Sequence, residues 1–190
     1  MTQLELRQRG LLDLVKNRGA IPDDAYLREV ACSRELAIVR EIALWWRTMQ
    51  LEAQCRFTAR LLKRLGVLDA TVTSYFNANA TSSFVEELSR DFLRSLRMHA
   101  DPLVQAVSQF EYAFMEVHAA SAEAFEVCWD RHPNDVFVAL LKGTEFPPAE
   151  LGRVYRMRIA RDIPNLLTCS RESVGPDERI PIWKPGKTGS

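Results

Sequence analysis

The sequence predicts an α+β fold, a predominantly helical amino-terminal bundle closed by a small antiparallel sheet of about three strands near the carboxyl terminus. Three observations predict it. Up to about residue 120, apolar residues recur at three- and four-residue steps, the helical period. In Phe125-Glu126-Val127-Cys128-Trp129 the period shortens to two, and Asp130-Arg131-His132-Pro133-Asn134-Asp135 then supplies turn chemistry. The apolar, partly β-branched run Val136-Phe137-Val138-Ala139-Leu140-Leu141 follows, ended by Lys142-Gly143-Thr144, and a third candidate strand spans 154–159 beyond Phe146-Pro147-Pro148. The corresponding division is a helical bundle over 1–120, a sheet packed on it over 121–170, and a tail over 171–190 rich in Pro, Gly and charge.

Taken in order, Leu4, Leu6, Leu11, Leu12, Leu14 and Val15 predict a first helix, stopped by Asn17-Arg18-Gly19. Asp23 or Asp24 caps a short second helix through Tyr26, Leu27 and Val30. Ser33 opens the longest helical stretch, which the pattern carries to a stop at Gly66. Leu36, Val39, Ile42, Ala43, Trp46, Met49, Ala53, Phe57, Leu61 and Leu65 form its apolar face, with Trp45 beside it. Asp69 caps a helix through Val72, Tyr75 and Phe76. Thr81-Ser82-Ser83 ahead of Glu86 fits a capping box for the next, along which Glu86 and Arg90 stand at attractive i, i+4 spacing. Asp101-Pro102 caps and opens the last long helix through Val104, Val107, Phe110, Phe114 and Val117.

The 154–159 strand has a competitor, because 149–159 also fits a helix with Leu151, Val154, Tyr155 and Ile159 on one side; Gly152 argues mildly against it. As a strand, it turns Tyr155, Met157 and Ile159 to the core and Arg156 and Arg158 outward. An incomplete sheet has edges, and an edge accepts an extended peptide. On that reading Val136, Phe137, Val138, Tyr155, Arg156, Met157 and Arg158 are the candidate peptide-binding residues, the arginines suiting an acidic peptide. The bland alternative is an edge protected by charge.

Composition narrows the classes. In 190 residues, 25 Lys plus Arg balance 25 Asp plus Glu, which argues against a chain built to displace phosphate counterions. The amino terminus places charge where a signal peptide needs an apolar core, and no uncharged run reaches the roughly 18 residues that span a bilayer. Cys32, Cys55, Cys128 and Cys169 are widely spaced with no Cys-x-x-Cys pair, so reduced thiols in a cytoplasmic protein are expected.

Constellations that carry chemistry are missing. No Glu-x-x-His, His-Glu-x-x-His or Gly-rich phosphate loop occurs, and Cys128 with His132 lacks a second ligand pair for zinc. Cys55 and Cys169 have no nearby histidine in sequence, so core or incidental cysteine is the better reading. No catalytic residue and no metal ligand is therefore assigned to this chain. Arg56, Arg60, Lys63 and Arg64 crowd one helix end; they read as a solvated face suited to the helix dipole, or else as a docking surface for an acidic partner. Trp45, Arg56, Arg60 and, in the tail, Trp183 are the candidate partner-binding residues, since Trp and Arg anchor interfaces.

The blocks Trp45-Trp46-Arg47-Thr48-Met49-Gln50-Leu51-Glu52-Ala53-Gln54-Cys55-Arg56-Phe57 and Phe84-Val85-Glu86-Glu87-Leu88-Ser89-Arg90-Asp91-Phe92-Leu93 resemble the methanobactin-biosynthesis family MbnC. The helix carrying Phe110-Glu111-Tyr112-Ala113-Phe114 and the segment 155–169 resemble a wider group of small partner proteins of multinuclear-iron peptide-modifying enzymes. The resemblance covers roughly 33–170 and rests on diffuse helix and strand signatures. It implies a non-catalytic subunit that pairs with the iron-dependent barrel enzyme MbnB and presents the leader of a precursor peptide, MbnA. The complex would use dioxygen to convert peptide cysteines to oxazolone and thioamide groups of a copper chelator, with the iron held by the partner and no cofactor in this chain. No family residue is carried over. A nucleic-acid-binding or regulatory helical protein using Arg56, Arg60, Lys63 and Arg64 is the alternative, and a free-standing cysteine enzyme the third reading.

Overall fold

Side-chain caps set where four of the eight described helices begin. The computed structural model describes residues 2–16, 23–79, 82, 84–173 and 183–185. Its helices are α1 (Gln3–Val15), α2 (Ala25–Ala31), α3 (Arg34–Gln54), α4 (Arg56–Arg64), α5 (Leu68–Ala78), α6 (Val85–Ser95), α7 (Pro102–His118) and α8 (Pro133–Lys142). The strands are β1 (Ala124–Trp129), β2 (Arg153–Ala160), β3 (Leu167–Ser173) and β4 (Trp183–Pro185). Three of the expected caps form: Asp24 accepts from Tyr26 and Leu27, Ser33 from Leu36, and Asp101 from Leu103; Asp69 does not cap, because α5 already starts at Leu68 with Val67 at the cap position and Asp69 in the first turn. The capping box expected at 81–86 does not form; Ser82 instead accepts from Phe84 N–H and donates to Glu87, while Thr81 and Ser83 lie outside the described residues. A reciprocal box closes the start of α1, between Thr2 and Glu5. Arg90 pairs at 2.8 Å with Glu116 of α7, not with Glu86 as the helical spacing suggests.

The single long helix expected from Ser33 to Gly66 is two. Its chain breaks at Cys55, whose backbone (φ −104°, ψ 58°) leaves helical space, and α4 starts at the next residue. The break orphans the first N–H groups of α4 deep in the protein. Glu111, projecting from α7, receives two of them: Phe57 N–H and Thr58 N–H each lie 2.8 Å from its carboxylate oxygens. Gly66 does end the helix, at φ +70°.

A second correction concerns 136–141, which is the body of α8 and not a strand. Pro133 sits in its first turn with Asp135, and Gly143 closes it in the left-handed region at φ +74°. These are helix-start and helix-stop signals, and they outweigh the β-branching of Val136 and Val138. Val136, Ala139 and Leu140 are its buried side, at helical steps.

The sheet has the order β3-β2-β1-β4, antiparallel throughout. Residues 154–159 are strand, as the first of the two sequence readings has it, and Tyr155, Met157 and Ile159 are buried. Part of the expected tail is sheet as well: 171–173 complete β3 and 183–185 form β4. α7 lies between this sheet and α4 and α6, with α3 packed beyond them. Phe57, Phe110, Trp129 and Phe137 join the layers, with ring centroids 4.9 Å apart for Phe57–Phe137 and 4.6 Å for Phe110–Phe137. A smaller cluster of Leu14, Leu27 and Leu36 ties α1 and α2 to the start of α3.

The apolar face expected to bury α3 points largely outward. Val39, Ile42, Trp46 and Met49 are exposed, and the helix packs instead through Leu36, Leu44 and Leu51.

Burial pushes the Glu111 carboxyl above its usual range, although the bonds from Thr58 and Phe57 pull the other way. Glu111→Ala is expected to lower stability by about 2–4 kcal/mol, since it leaves buried N–H groups unpaired, measured by chemical denaturation. An acid with a raised folded pKa loses stability as pH rises from the unfolded carboxyl value toward the folded one. The stability advantage of wild type over Glu111→Gln should therefore narrow as pH increases through that window.

Candidate functional site

The outer edge of the sheet is the candidate site, and β3 forms it. The β2–β3 ladder runs without a bulge from Ile159↔Leu167 to Arg153↔Ser173. Among the described residues only β2 pairs with β3, so one row of its backbone N–H and C=O groups is unpaired. Every β3 residue after Leu167 is exposed. At the opposite end β4 covers β1 at only Phe125, Glu126 and Val127.

Side-chain networks stiffen the strands behind this edge. On the outer face Arg156 reaches Glu126 of β1 at 2.6 Å and Glu172 of β3 at 2.5 Å, one guanidinium spanning three strands. Those two carboxylates keep Arg156 firmly protonated, Glu172 contributing most. On the other face Glu150 accepts from Tyr155 Oη at 2.7 Å, from Arg153 at 2.8 Å and from Arg171 of β3 at 3.3 Å. The Tyr155 bond first, then the arginines, hold the Glu150 carboxyl below its usual range. Arg171 also lies over the Tyr155 ring. The carboxyl-terminal half of β3 is thus held from both faces, through Arg171 and Glu172, while its far side stays open.

The structure distributes the candidate peptide-binding residues differently from the sequence reading. Val136, Phe137 and Val138 are helical in α8, so their backbone groups are spent within the helix and cannot form a sheet edge. Tyr155, Arg156, Met157 and Arg158 do lie in the sheet, but on β2, an interior strand with partners on both sides. Tyr155 and Met157 are buried, Arg156 is engaged as above, and Arg158 pairs with Asp162 at 3.1 Å. β3 carries little strand signal in the sequence, because Leu167-Thr168-Cys169-Ser170-Arg171-Glu172-Ser173 alternates only weakly in hydropathy. One signal was present: Pro164-Asn165, a turn pair. Asn165 adopts φ +61° in the connection from β2 to β3.

Among the candidate partner-binding residues, Trp45 is exposed on α3. Arg56 and Arg60 line a cleft between α4 and α8 together with Glu52, Phe57, Lys63 and Leu141. Lys63 is paired with Glu52 at 2.6 Å. Arg64 is structural: it donates to Ala139 and Thr144 carbonyls at the end of α8 and lies 4.1 Å over the Phe146 ring. The basic cluster is therefore not one free surface. Trp183 pairs through its backbone with Val127, and its side chain lies outside the described residues, as does Ile182.

Burial pushes the Cys55 thiol far above its ordinary value and raises Cys169 as well, which disfavours the thiolate a cysteine nucleophile needs. Among the described residues no group of three His, Cys, Asp or Glu is placed to hold a metal ion, and no helix is long and apolar enough to cross a membrane. No family model, curated protein or solved structure matches the chain.

Replacing Arg156 by Ala is expected to cost about 1 kcal/mol, the upper range for a partly exposed pair of ion pairs. Amide hydrogen exchange should quicken in β3 before it does in α7.

Proposed function

We propose that this chain is a non-catalytic partner subunit that holds the leader of a precursor peptide as an added strand on β3. The single observation that supports the reading most is the row of β3 backbone groups left unpaired among the described residues. A seven-residue edge strand, exposed beyond Leu167 and without Pro, Lys or a bulge, invites pairing with another chain; its charges, Arg171 and Glu172, are engaged with Glu150 and Arg156. A peptide laid along it would gain affinity from backbone hydrogen bonds and register from alternate side chains, with Cys169 and Arg171 on one face and Thr168, Ser170 and Glu172 on the other.

The resemblance to MbnC supplies the rest of the proposal. The leader belongs to an MbnA-like precursor, and the chemistry, conversion of its cysteines to oxazolone and thioamide groups, takes place on an MbnB-like iron enzyme. The gain for catalysis is proximity: a leader held on β3 raises the local concentration of the cysteine-bearing segment at the partner's site.

Proline scanning of the edge tests the peptide mode. Consecutive strand residues direct their N–H groups to opposite sides, so of Cys169→Pro and Ser170→Pro one removes a β2–β3 ladder bond and the other only an outward N–H. The outward substitution should weaken binding of a fluorescently labelled MbnA-like leader peptide at least about tenfold with an unchanged thermal melt. Full binding by both variants in the folded state sinks the edge mode. Failure to co-purify with a co-expressed MbnB-like iron enzyme sinks the subunit assignment separately.

A further inference from the structure

The side of α3 turned away from the core carries Ile38, Ile42, Trp45 and Met49 at steps of four, three and four, with Val39 and Trp46 alongside. Each is between 45% and 60% exposed. Together they present about 700 Å² of apolar side chain on one helix face, more than the roughly 300–600 Å² of the largest patch on a typical monomer. The core does not need them, because Leu36, Leu44 and Leu51 already bury the opposite side of the helix.

We propose that a second copy of this chain covers this face, the two α3 helices packing antiparallel about a two-fold axis near Ala43 and Leu44. Three observations converge on that occupant. The 4-3-4 spacing is the seam spacing of paired helices, and its midpoint sets Ile42 of one copy against Trp45 of the other and Ile38 against Met49. Complete burial of two such faces would remove about 1,400 Å² in total, within the roughly 1,200–2,000 Å² of stable specific interfaces, with tryptophans at the centre where binding energy concentrates. Charge complements the same register. Glu35 at the start of the seam meets the other copy's seam end, where Glu52 is paired with Lys63 and the cleft adds Arg56 and Arg60, a net cationic group. A parallel pairing would bring that cationic group onto its own copy.

The fold favours a copy of the chain over an enzyme acting at the sheet. α4 and α6, and then α7, stand between α3 and the sheet, about 20 Å of helix packing. Pairing through α3 leaves β3 of both copies open, and the proposal does not depend on what β3 binds.

Sedimentation velocity of the full chain at about 50 μM, where a micromolar dimer is mostly assembled, is expected to give twice the mass of one chain. Ile42→Glu and Trp45→Glu should each raise the dissociation constant at least about thirtyfold with unchanged circular dichroism. Leu151→Glu, at a fully exposed position off this face, should leave the dimer intact. A charge swap reads the register: Glu35→Arg and Arg60→Glu should each weaken pairing, and an equal mixture of the two variants should restore it, because both seam ends then carry opposite charges. A wild-type monomer at that concentration, or a dimer indifferent to both Ile42→Glu and Trp45→Glu, overturns the proposal. Loss of pairing in the single charge variants without recovery on mixing overturns the antiparallel register.

Discussion

One buried carboxyl group makes the rest of this architecture possible. A helix that breaks inside a protein exposes backbone donors where water cannot reach, and each unpaired donor costs as much as a core cavity. Glu111 receives the first N–H groups of α4 at that break, from the face of α7 that looks away from the sheet. The turn at Cys55 then becomes tolerable, and α4 can leave the line of α3 to pack against α7 and α8. Phe57, at the same turn, enters the aromatic cluster that joins α7, β1 and α8. The helical layers and the sheet are thus coupled through a few residues around one cap, and α7, buried along most of its length, is the common wall.

The sheet built against that wall is finished on one face and unfinished at its edges. Its inner side is closed by Phe125, Val127, Tyr155, Met157 and Ile159. Arg156 and Glu150 organise the remaining charges into networks that hold β3 to β2 from both faces. An edge strand stiffened in this way has lost much of its conformational freedom before any ligand arrives, which lowers the entropic cost of adding another strand. Rigid support and an open ladder are the two properties a peptide-presenting surface needs.

α3 shows the opposite division of labour. Its inner side secures two hydrophobic clusters, Leu36 with α1 and α2 and Leu51 with the main core. Its outer side repeats an apolar pattern that nothing among the described residues absorbs. A helix apolar on both sides at helical spacing is expected between layers, and here the outer layer is absent among the described residues.

Much of the helical half was legible in the sequence, because caps and stops act locally: Asp24, Ser33, Asp101 and Gly66 do in the fold what their neighbours in the chain imply. The β1 strand and the inward and outward sides of β2 were legible for the same reason, a period of two over a short run. The α+β class followed from that change of period. What local pattern could not decide was set by contacts distant in sequence. The break at Cys55 depends on a carboxyl group 56 residues further along the chain. The two sides of α3 are both apolar, so only packing selects which is buried. Residues 136–141 carry β-branched side chains, but Pro133 and Gly143 frame a helix whose inner side fits against α4 and α7. β3 is too polar to announce itself, and it becomes a strand because β2 offers it a ladder. The open edge of the sheet was therefore a product of tertiary pairing, since an edge is defined by which neighbour is missing.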